Sequence, residues 1–565
     1  MTALLTDNLP LLAGAPNGIQ KLRELILELA VRGKLVPQDP SDEPASELLK
    51  RIAEEKARLV AEGKIRKQKP LAEIGEEEKP FELPEGWEWV RLGDSLEMIN
   101  GRAFKPAEWK ASGLPIVRIQ NLNREDAPFN YCNEDDVDAR HLINDGTFLI
   151  SWSGTPGTSF GAFIWRRGKA ALNQHIFSCV QKGKAFFEDF LQISINTRLD
   201  ELISKAHGGV GLQHVTKGKL EALTLVLPPL AEQHRIVAKV DELMALCDRL
   251  EARQADADSA HARLVQALLD SLTQASDADD FAASWQRLAE HFHSLFTSES
   301  SIDALKQTLL QLAVMGKLVP QDPSDEPASE LLKRIAEEKA RLVAEGKLRK
   351  QKPLAEVGEG EKLFELPQGW QWVRKTEVFN FLNGYAFKSE WFKPEGIRLL
   401  RNVNVSHGAA NWKDTACISE EQAAEFQGFL LAENDVVLTL DRPIISTGLK
   451  YAVISSSDLP CLLLQRVAKI APYAGAVSVG YLSAWLNSRF FVESIDPGRS
   501  NGVPHISTNQ VASMPFALPP LPEQHRIVAK LDQLMSLCDQ LKSHLTAARQ
   551  LHERLAGVLV EQAVA

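Results

Sequence analysis

"KLVPQDPSDEPASELLKRIAEEKARLVAEGK" occupies residues 34–64 and recurs, letter for letter, at residues 317–347, an offset of 283. An internal repeat of this kind governs the architecture and has to be read before any local feature. The likeness continues beyond its edges. Upstream, "IQKLRELILELAVRGKLVP" from Ile19 matches "IDALKQTLLQLAVMGKLVP" from Ile302, and downstream "FELPEGWEWVR" from Phe81 matches "FELPQGWQWVR" from Phe364. A later pair, "LPPLAEQHRIVAKVDELMALCDRL" from Leu227 and "LPPLPEQHRIVAKLDQLMSLCDQL" from Leu518, stands 291 apart, so the second copy carries eight extra residues between these anchors. The chain is a tandem duplication, roughly 19–275 and 302–565, joined by a polar segment.

Between the anchors the copies diverge but keep a skeleton. "GRAFK" at 101–105 aligns with "GYAFK" at 384–388, Gly113 with Gly396, Arg118 with Arg401, Asn121 with Asn404, Gln174 with Gln465 and His214 with His505. Near-identical flanks around dissimilar middles imply one job done twice by the flanks and two variants of one job in the middles. The middles, 84–228 and 367–519, carry short β-rich runs such as "PIVRIQNL", "DGTFLISWSG" and "NDVVLTL" broken by Gly, Asn and Asp, with short helices between.

The flanks read as helices. Ile236, Val240, Leu243, Cys247 and Leu250 step by four and three, and the count continues through Gln254, Ala257, His261, Leu264 and Leu268. The second copy repeats the seam at Ile527, Leu531, Leu534, Cys538, Leu541, Leu545, Ala548, His552, Leu555 and Leu559. Each helix opens after Pro-Pro and places a glutamate at its positive end. Each has one apolar stripe, and the simplest partner is the other helix; docking of each on a globular domain is the alternative. The opening stretch predicts a shorter helix over about 44–62, with Pro44 in its first turn, Leu48, Leu49, Ile52, Leu59 and Val60 on its apolar face, and Gly63 ending it. Its unchanged surface suggests two equal surfaces for two equal partners, although a recent duplication gives the same identity.

The chain's 565 residues exceed one hydrophobic core and imply two to four domains. With 44% hydrophobic and 25% charged residues the composition is that of a soluble globular protein. No apolar run reaches membrane-helix length, and the start "MTALLTDNLP" lacks a basic region. Six scattered cysteines without a CxxC pair argue against zinc and disulfides and suit a reducing cytoplasm. The net charge is −11, but residues 84–228 carry 16 Lys/Arg against 17 Asp/Glu and residues 367–519 carry 13 against 13. The acid therefore lies on the helical flanks and termini, which suits spacers held off a polyanion, while the near-neutral middles have room for a basic face.

Chemistry is missing. No phosphate loop ending in Gly-Lys-Ser/Thr is present, "SWSGTPGTSFG" at 151–161 lacks the lysine, and no Asn/Asp-Pro-Pro-Tyr/Phe motif of the amino-methyltransferases occurs. "HFH" at 291–293 reads as helix surface, and no serine-histidine-acid or paired-carboxylate set stands out. Catalytic and metal-ligating residues are therefore expected to be none.

"GLQHVTKGKLEALTLVLPPLAEQHRIVAKVDELMALCD" and its counterpart beginning "GVPHISTNQVASMPFALPPLPEQHRIVAK" resemble the specificity subunit of Type I restriction-modification systems. The resemblance covers nearly the whole chain. It implies an α+β pseudo-two-fold tandem repeat with two globular α/β target recognition domains separated by long antiparallel coiled-coil helices. The expected boundaries are an N-terminal helical region 1–83, a first recognition domain 84–228, a central helical spacer and docking region 229–366, a second recognition domain 367–519 and a C-terminal helix 520–565. Each recognition domain is expected to read one half of a bipartite site in double-stranded DNA. Two adenine methyltransferase (modification) subunits are expected to dock on the repeats and to connect the chain to ATP-dependent restriction subunits. The chain itself is expected to hold no cofactor, with S-adenosylmethionine, ATP and Mg2+ in partner chains, and to work in the cytoplasm without a membrane partner. A stand-alone two-reader DNA-binding regulator and a pure scaffold are the alternative readings.

Candidate DNA contacts follow from side-chain chemistry and the skeleton. In the first reader Arg118, Gln120, Asn121 and Arg124 follow a strand end; Arg suits guanine, and Asn or Gln suit adenine, in the major groove. Lys105, Ser153, Thr155, Thr158, His214, Thr216 and Lys217 suit phosphates that fix register. In the second reader the candidates are Lys388, Arg401, Asn402, Asn404, Arg442, Thr447, His505, Ser507 and Asn509. His214 and His505 equally suit a cap on the turn before Pro-Pro.

Overall fold

A computed structural model describes residues 9–63, 71–154, 161–198, 213–276, 278–348, 354–495, 498–500 and 503–564. The chain forms two compact units, one of residues 1–257 with 548–565 and the other of residues 258–547. Each unit repeats the same plan.

In the first unit the helices Gly18–Val31 and Ala45–Ala61 precede a ribbon in which Glu88–Arg91 pairs antiparallel with Thr224–Leu227. That ribbon closes the reader's ends together, so everything between them is one module. Inside it, a four-stranded sheet runs in the order Leu96–Asn100, Ile176–Gln181, Phe148–Ser151, Gly161–Ile164. A second sheet runs Asn130–Cys132, Leu114–Val117, Ala170–Leu172, Leu142–Ile143, with its central pair parallel. In the second unit Gln371–Arg374 pairs with Pro515–Leu518. Its five-stranded sheet runs Phe379–Asn383, Val467–Pro472, Val436–Thr439, Tyr451–Val453, His407–Gly408, and a three-stranded sheet runs Cys417–Ile418, Ile397–Leu400, Cys461–Leu463. The central strands "FLIS" and "VVLT" are buried on both faces, which is why they read as continuous apolar runs.

The skeleton glycines mark a close approach. A Cβ on Gly101 would lie 2.1 Å from the Asn173 carbonyl oxygen, and one on Gly384 would lie 2.2 Å from that of Leu464. Only glycine lets the chain cross between sheets at this point, and both readers need it.

The flanking repeats build one joint twice. Glu232, 1% exposed in the first turn of the helix Leu230–Thr273, accepts from Trp87 Nε1 at 2.9 Å and Gln38 Nε2 at 3.2 Å. Gln233, fully buried, donates to the carbonyls of Ala185 (3.0 Å) and Pro228 (2.9 Å) and accepts from the Phe187 N–H at 2.7 Å. Arg235 grips Asp42 at 2.6 and 3.2 Å. In the second unit Glu523 takes Trp370 and Gln321 at the same two distances, Gln524 reaches Ala476, Pro519 and the Ser478 N–H, and Arg526 grips Asp325. "PQDPSD", "GW" and "EQHR" are thus three sides of one buried polar knot, in which every side chain depends on the others. Burial raises the Glu232 and Glu523 carboxyls above their ordinary range, opposed by these hydrogen bonds.

The helix Ala45–Ala61 and its copy Ala328–Ala344 bury Leu48 and Ile52, or Leu331 and Ile335, with Pro44 and Pro327 at the N-cap, one step before the expected first-turn place. The long helices Leu230–Thr273 and Leu521–Val564 each contribute their first part to one unit and their last part to the other, in opposite order. Their seam departs from the expected heptads. Ile236, Val240, Leu243 and Cys247 are buried as expected, but residues 251–260 are exposed throughout, Leu264 is 53% exposed, and burial resumes at Val265, Leu269 and Leu272. In the second helix Ile527, Leu531 and Cys538 are buried, His552 and Leu555 are exposed, and burial resumes at Ala556 and Ala563. Both stripes resume 18 residues after the cysteine, which is five turns of a straight helix at 3.6 residues per turn. A strict 3.5 repeat covers only 17.5 residues in the same five turns, and the heptad count, which moves in whole steps, lands on Leu264 and Leu555, one position before the buried residue.

Candidate nucleic-acid interface

In the second reader two connections meet at the end of the central sheet. Residues 442–450 leave the strand Val436–Thr439 and return through a short hairpin, Ile444–Ile445 on Gly448–Leu449. Residues 464–467 make the tight turn into Val467–Pro472. Leu440 N–H donates to the Arg466 carbonyl at 2.8 Å, and Ile506 N–H donates to the Leu440 carbonyl at 2.8 Å, which draws the segment 503–506 alongside. The side chains of Asn402, Asp441, Arg442, Lys450, Arg466 and His505 are gathered by this arrangement. The Asp441 carboxylate accepts from Arg466 Nη1 at 3.0 Å on both oxygens and meets His505 Nδ1 at 2.5 Å. Asn402 Nδ2 donates to the Asp441 carbonyl at 2.7 Å, and Lys450 Nζ donates to the Asn402 carbonyl at 2.8 Å. Burial, and then the Arg442 charge, pushes the Lys450 ammonium below its ordinary range. Arg442, Thr447, Ile444 and Ile445 are exposed on the hairpin. The arrangement is a hydrogen-bonded, mostly cationic ledge with free donors, suited to a phosphate backbone and base edges.

The first reader has the same wiring with other side chains. Trp152 N–H donates to the His175 carbonyl at 3.3 Å, Val215 N–H donates to the Trp152 carbonyl at 3.1 Å, and His214 pairs with Ser153 as His505 pairs with Asp441. Ser153 and His175 therefore occupy the places of Asp441 and Arg466. Arg118 follows the strand Leu114–Val117 half-buried, 5.7 Å from the Trp109 ring centre, with its Nε lacking a partner among the described residues. Gln120 is half-buried, and Lys105 and Arg124 are exposed. Thr216 accepts from the Lys219 N–H as an N-cap, and Lys217 Nζ donates to the Met98 carbonyl at 2.8 Å. Thr155 and Thr158 lie outside the described residues.

Three sequence-derived candidates are corrected. Asn121 and Asn404 are fully buried; each accepts from the backbone N–H of Arg118 or Arg401 and donates to two loop carbonyls, Ala127 and Pro128 or Asn411 and Asp414. They are shared between the copies because they clamp a loop, and neither offers an amide to a base. Ser153 is 3% exposed and is not a surface phosphate contact. In the second reader Lys388 is exposed beside Trp391, and Arg401 is held by Asp414 at 2.9 Å. Ser507 caps the helix Thr508–Ser513, and Asn509 is exposed on it. The sequence reading passed over Asp441, Lys450 and Arg466. Arg466 directly follows the aligned Gln465, and a non-matching residue beside a matching one was the signal available.

A family model described as Type I restriction modification DNA specificity domain matches residues 84–257 and 367–548. The chain is 50% identical to the EcoAI specificity subunit of a Type I restriction enzyme from Escherichia coli, over 97% of this chain and 94% of that protein. It is 37% identical to the EcoEI specificity subunit, also from Escherichia coli, with the same coverage. A solved chain from a type I R-M system is 18% identical, covers 86% of this chain and 99% of its own, and superposes with a TM-score of 0.49. No helix among the described residues is long and apolar enough to cross a membrane.

Proposed function

The chain belongs to the Type I restriction-modification DNA specificity subunits, and from that premise we propose that it reads a bipartite duplex, one half-site per reader, as a non-catalytic subunit. Sequence-specific DNA recognition within a restriction-modification complex is the function of this family. The observation that carries the bipartite reading is the contrast between the twice-built buried joint and the re-sided ledge. Glu232, Gln233 and Arg235 recur as Glu523, Gln524 and Arg526, whereas Ser153 and His175 give way to Asp441 and Arg466. Flanks under one constraint hold readers under two.

The matching faces of Ala45–Ala61 and Ala328–Ala344 then serve two copies of one modification subunit, as a two-fold arrangement requires. Adenine methylation with S-adenosylmethionine, and ATP- and Mg2+-dependent restriction, belong to those partner chains. We assign the recognition domains to 84–228 and 367–519. Lys105, Arg118, Gln120, Arg124, His214, Thr216 and Lys217 contact DNA in the first. Lys388, Arg401, Asn402, Arg442, Thr447, His505, Ser507 and Asn509 do so in the second. The test is to purify the chain alone and with a co-produced adenine methyltransferase subunit and to measure duplex binding against salt. A stable assembly with two such subunits and a steep loss of affinity with salt is expected. Tight specific binding by the chain alone with no assembly indicates a regulator, and no duplex binding in either form indicates a scaffold.

A further inference from the structure

We propose that Arg466, held by Asp441, is the residue through which the second reader selects a guanine. The inference deepens the DNA-reading function above and rests on it. Three observations carry it. The guanidinium is 58% exposed, yet it is anchored: Nη1 alone meets both oxygens of Asp441, while Nε and Nη2 have no partner among the described residues. That free edge presents two parallel N–H groups, the pattern that matches O6 and N7 of guanine in the major groove. His505 on the same carboxylate prevents Asp441 from swinging away, so the arginine is oriented before DNA arrives.

The backbone supplies the second observation. Arg466 has φ +73° and its neighbour across the ledge, Arg442, has φ +47°, left-handed values that residues with a Cβ rarely adopt. Strain of this kind persists where a side chain must be aimed in one direction. The third observation is the internal control. The equivalent turn in the first reader carries His175 outside the left-handed region, with Ser153 in the place of Asp441. Charge, donor geometry and backbone therefore change together between the copies, at a turn whose surrounding hydrogen bonds are kept. A phosphate contact needs none of this, since any mobile lysine supplies it.

The experiment selects bound duplexes from a randomised pool with the full chain in complex with its modification subunits, using wild type, R466A, R466K and D441N. Thermal unfolding confirms that each variant folds; the exposed position predicts no change for R466A and R466K. Wild type is expected to enrich a two-part sequence. R466A is expected to lose about 10- to 100-fold of discrimination at one G·C pair of one half-site, with the other half-site intact. R466K is expected not to restore it, because an ammonium is a point charge without the fork. D441N is expected to weaken the preference at that same pair alone, which a purely structural role would not do. A uniform loss of affinity in R466A with every base preference kept, full restoration in R466K, or an unchanged preference in D441N overturns the proposal. Failure of wild type to enrich any sequence removes instead the DNA-reading function on which it rests.

Discussion

Lys375 begins the short helix Lys375–Val378 of the second reader, in the place where the first reader has Leu92, and replacing it with leucine is expected to stabilise the protein. Lys375 is 2% exposed, with Nζ 3.2 Å from the Pro515 carbonyl and lying over the Phe491 ring, 4.8 Å from its centre. Burial pushes its ammonium from 10.5 down to about 7. Between those two values the unfolded chain binds the extra proton, so stability rises with pH from about 7 to about 10.5 and the penalty is fully present below 7. A depression of this size corresponds to a ceiling of about 4–5 kcal/mol. Local relaxation reduces that figure, and K375L also strips a donor from the Pro515 carbonyl at about 1 kcal/mol, leaving a net gain of about 1–3 kcal/mol at neutral pH. Leu92, fully buried in the same place, shows that the fold accepts the side chain. Denaturant unfolding of both proteins at intervals from pH 6.5 to 10.5 tests it. K375L should be the more stable near pH 7, and the two curves should converge toward pH 10.5. A less stable K375L whose pH slope matches that of wild type would show that the buried ammonium carries no such cost.

Gln233→Ala removes three hydrogen bonds inside the joint and leaves two buried carbonyls and one N–H unpartnered; a loss of about 2–4 kcal/mol is expected, read as earlier unfolding and faster amide exchange at Phe187. Gln524→Ala should do the same at Ser478. Asn121→Ala and Asn404→Ala should each lower stability by about 1–3 kcal/mol and weaken binding to all duplexes alike, without altering base preference in a pool selection. Arg374 holds the Glu361 carboxyl down to about 2, so this contact contributes above the ordinary glutamate range and is lost as pH falls toward 2; Glu361→Gln should flatten the acid limb of a stability titration there.

Much of the fold was legible because it is written twice. The repeat predicted the joint's components without revealing that they touch: "PQDPSD", "GW" and "EQHR" lie far apart in the chain, and only the structure shows Gln38, Trp87 and Glu232 as one knot. The helix over 44–62 was readable from its cap signals and apolar period. The far half of each long helix was not, because a heptad count cannot tell a supercoiled stripe from a straight one until the accumulated half residue moves the buried position by one step, at Val265 and Ala556. The site was less legible for a related reason. The shared pair Asn121 and Asn404 proved to be loop clamps, since part of what two different readers share is architecture. Asp441 and Arg466 of the ledge lie where the copies disagree, and an alignment of two copies gives disagreement no direction.

The most direct measurement is to replace residues 84–228 with the corresponding reader of another family member and to map the methylated sequence of the resulting complex. One half of the recognised sequence is expected to change and the other half to stay as it was, because each reader is a closed module held by its own joint. A change in both halves, or in neither, would contradict that expectation.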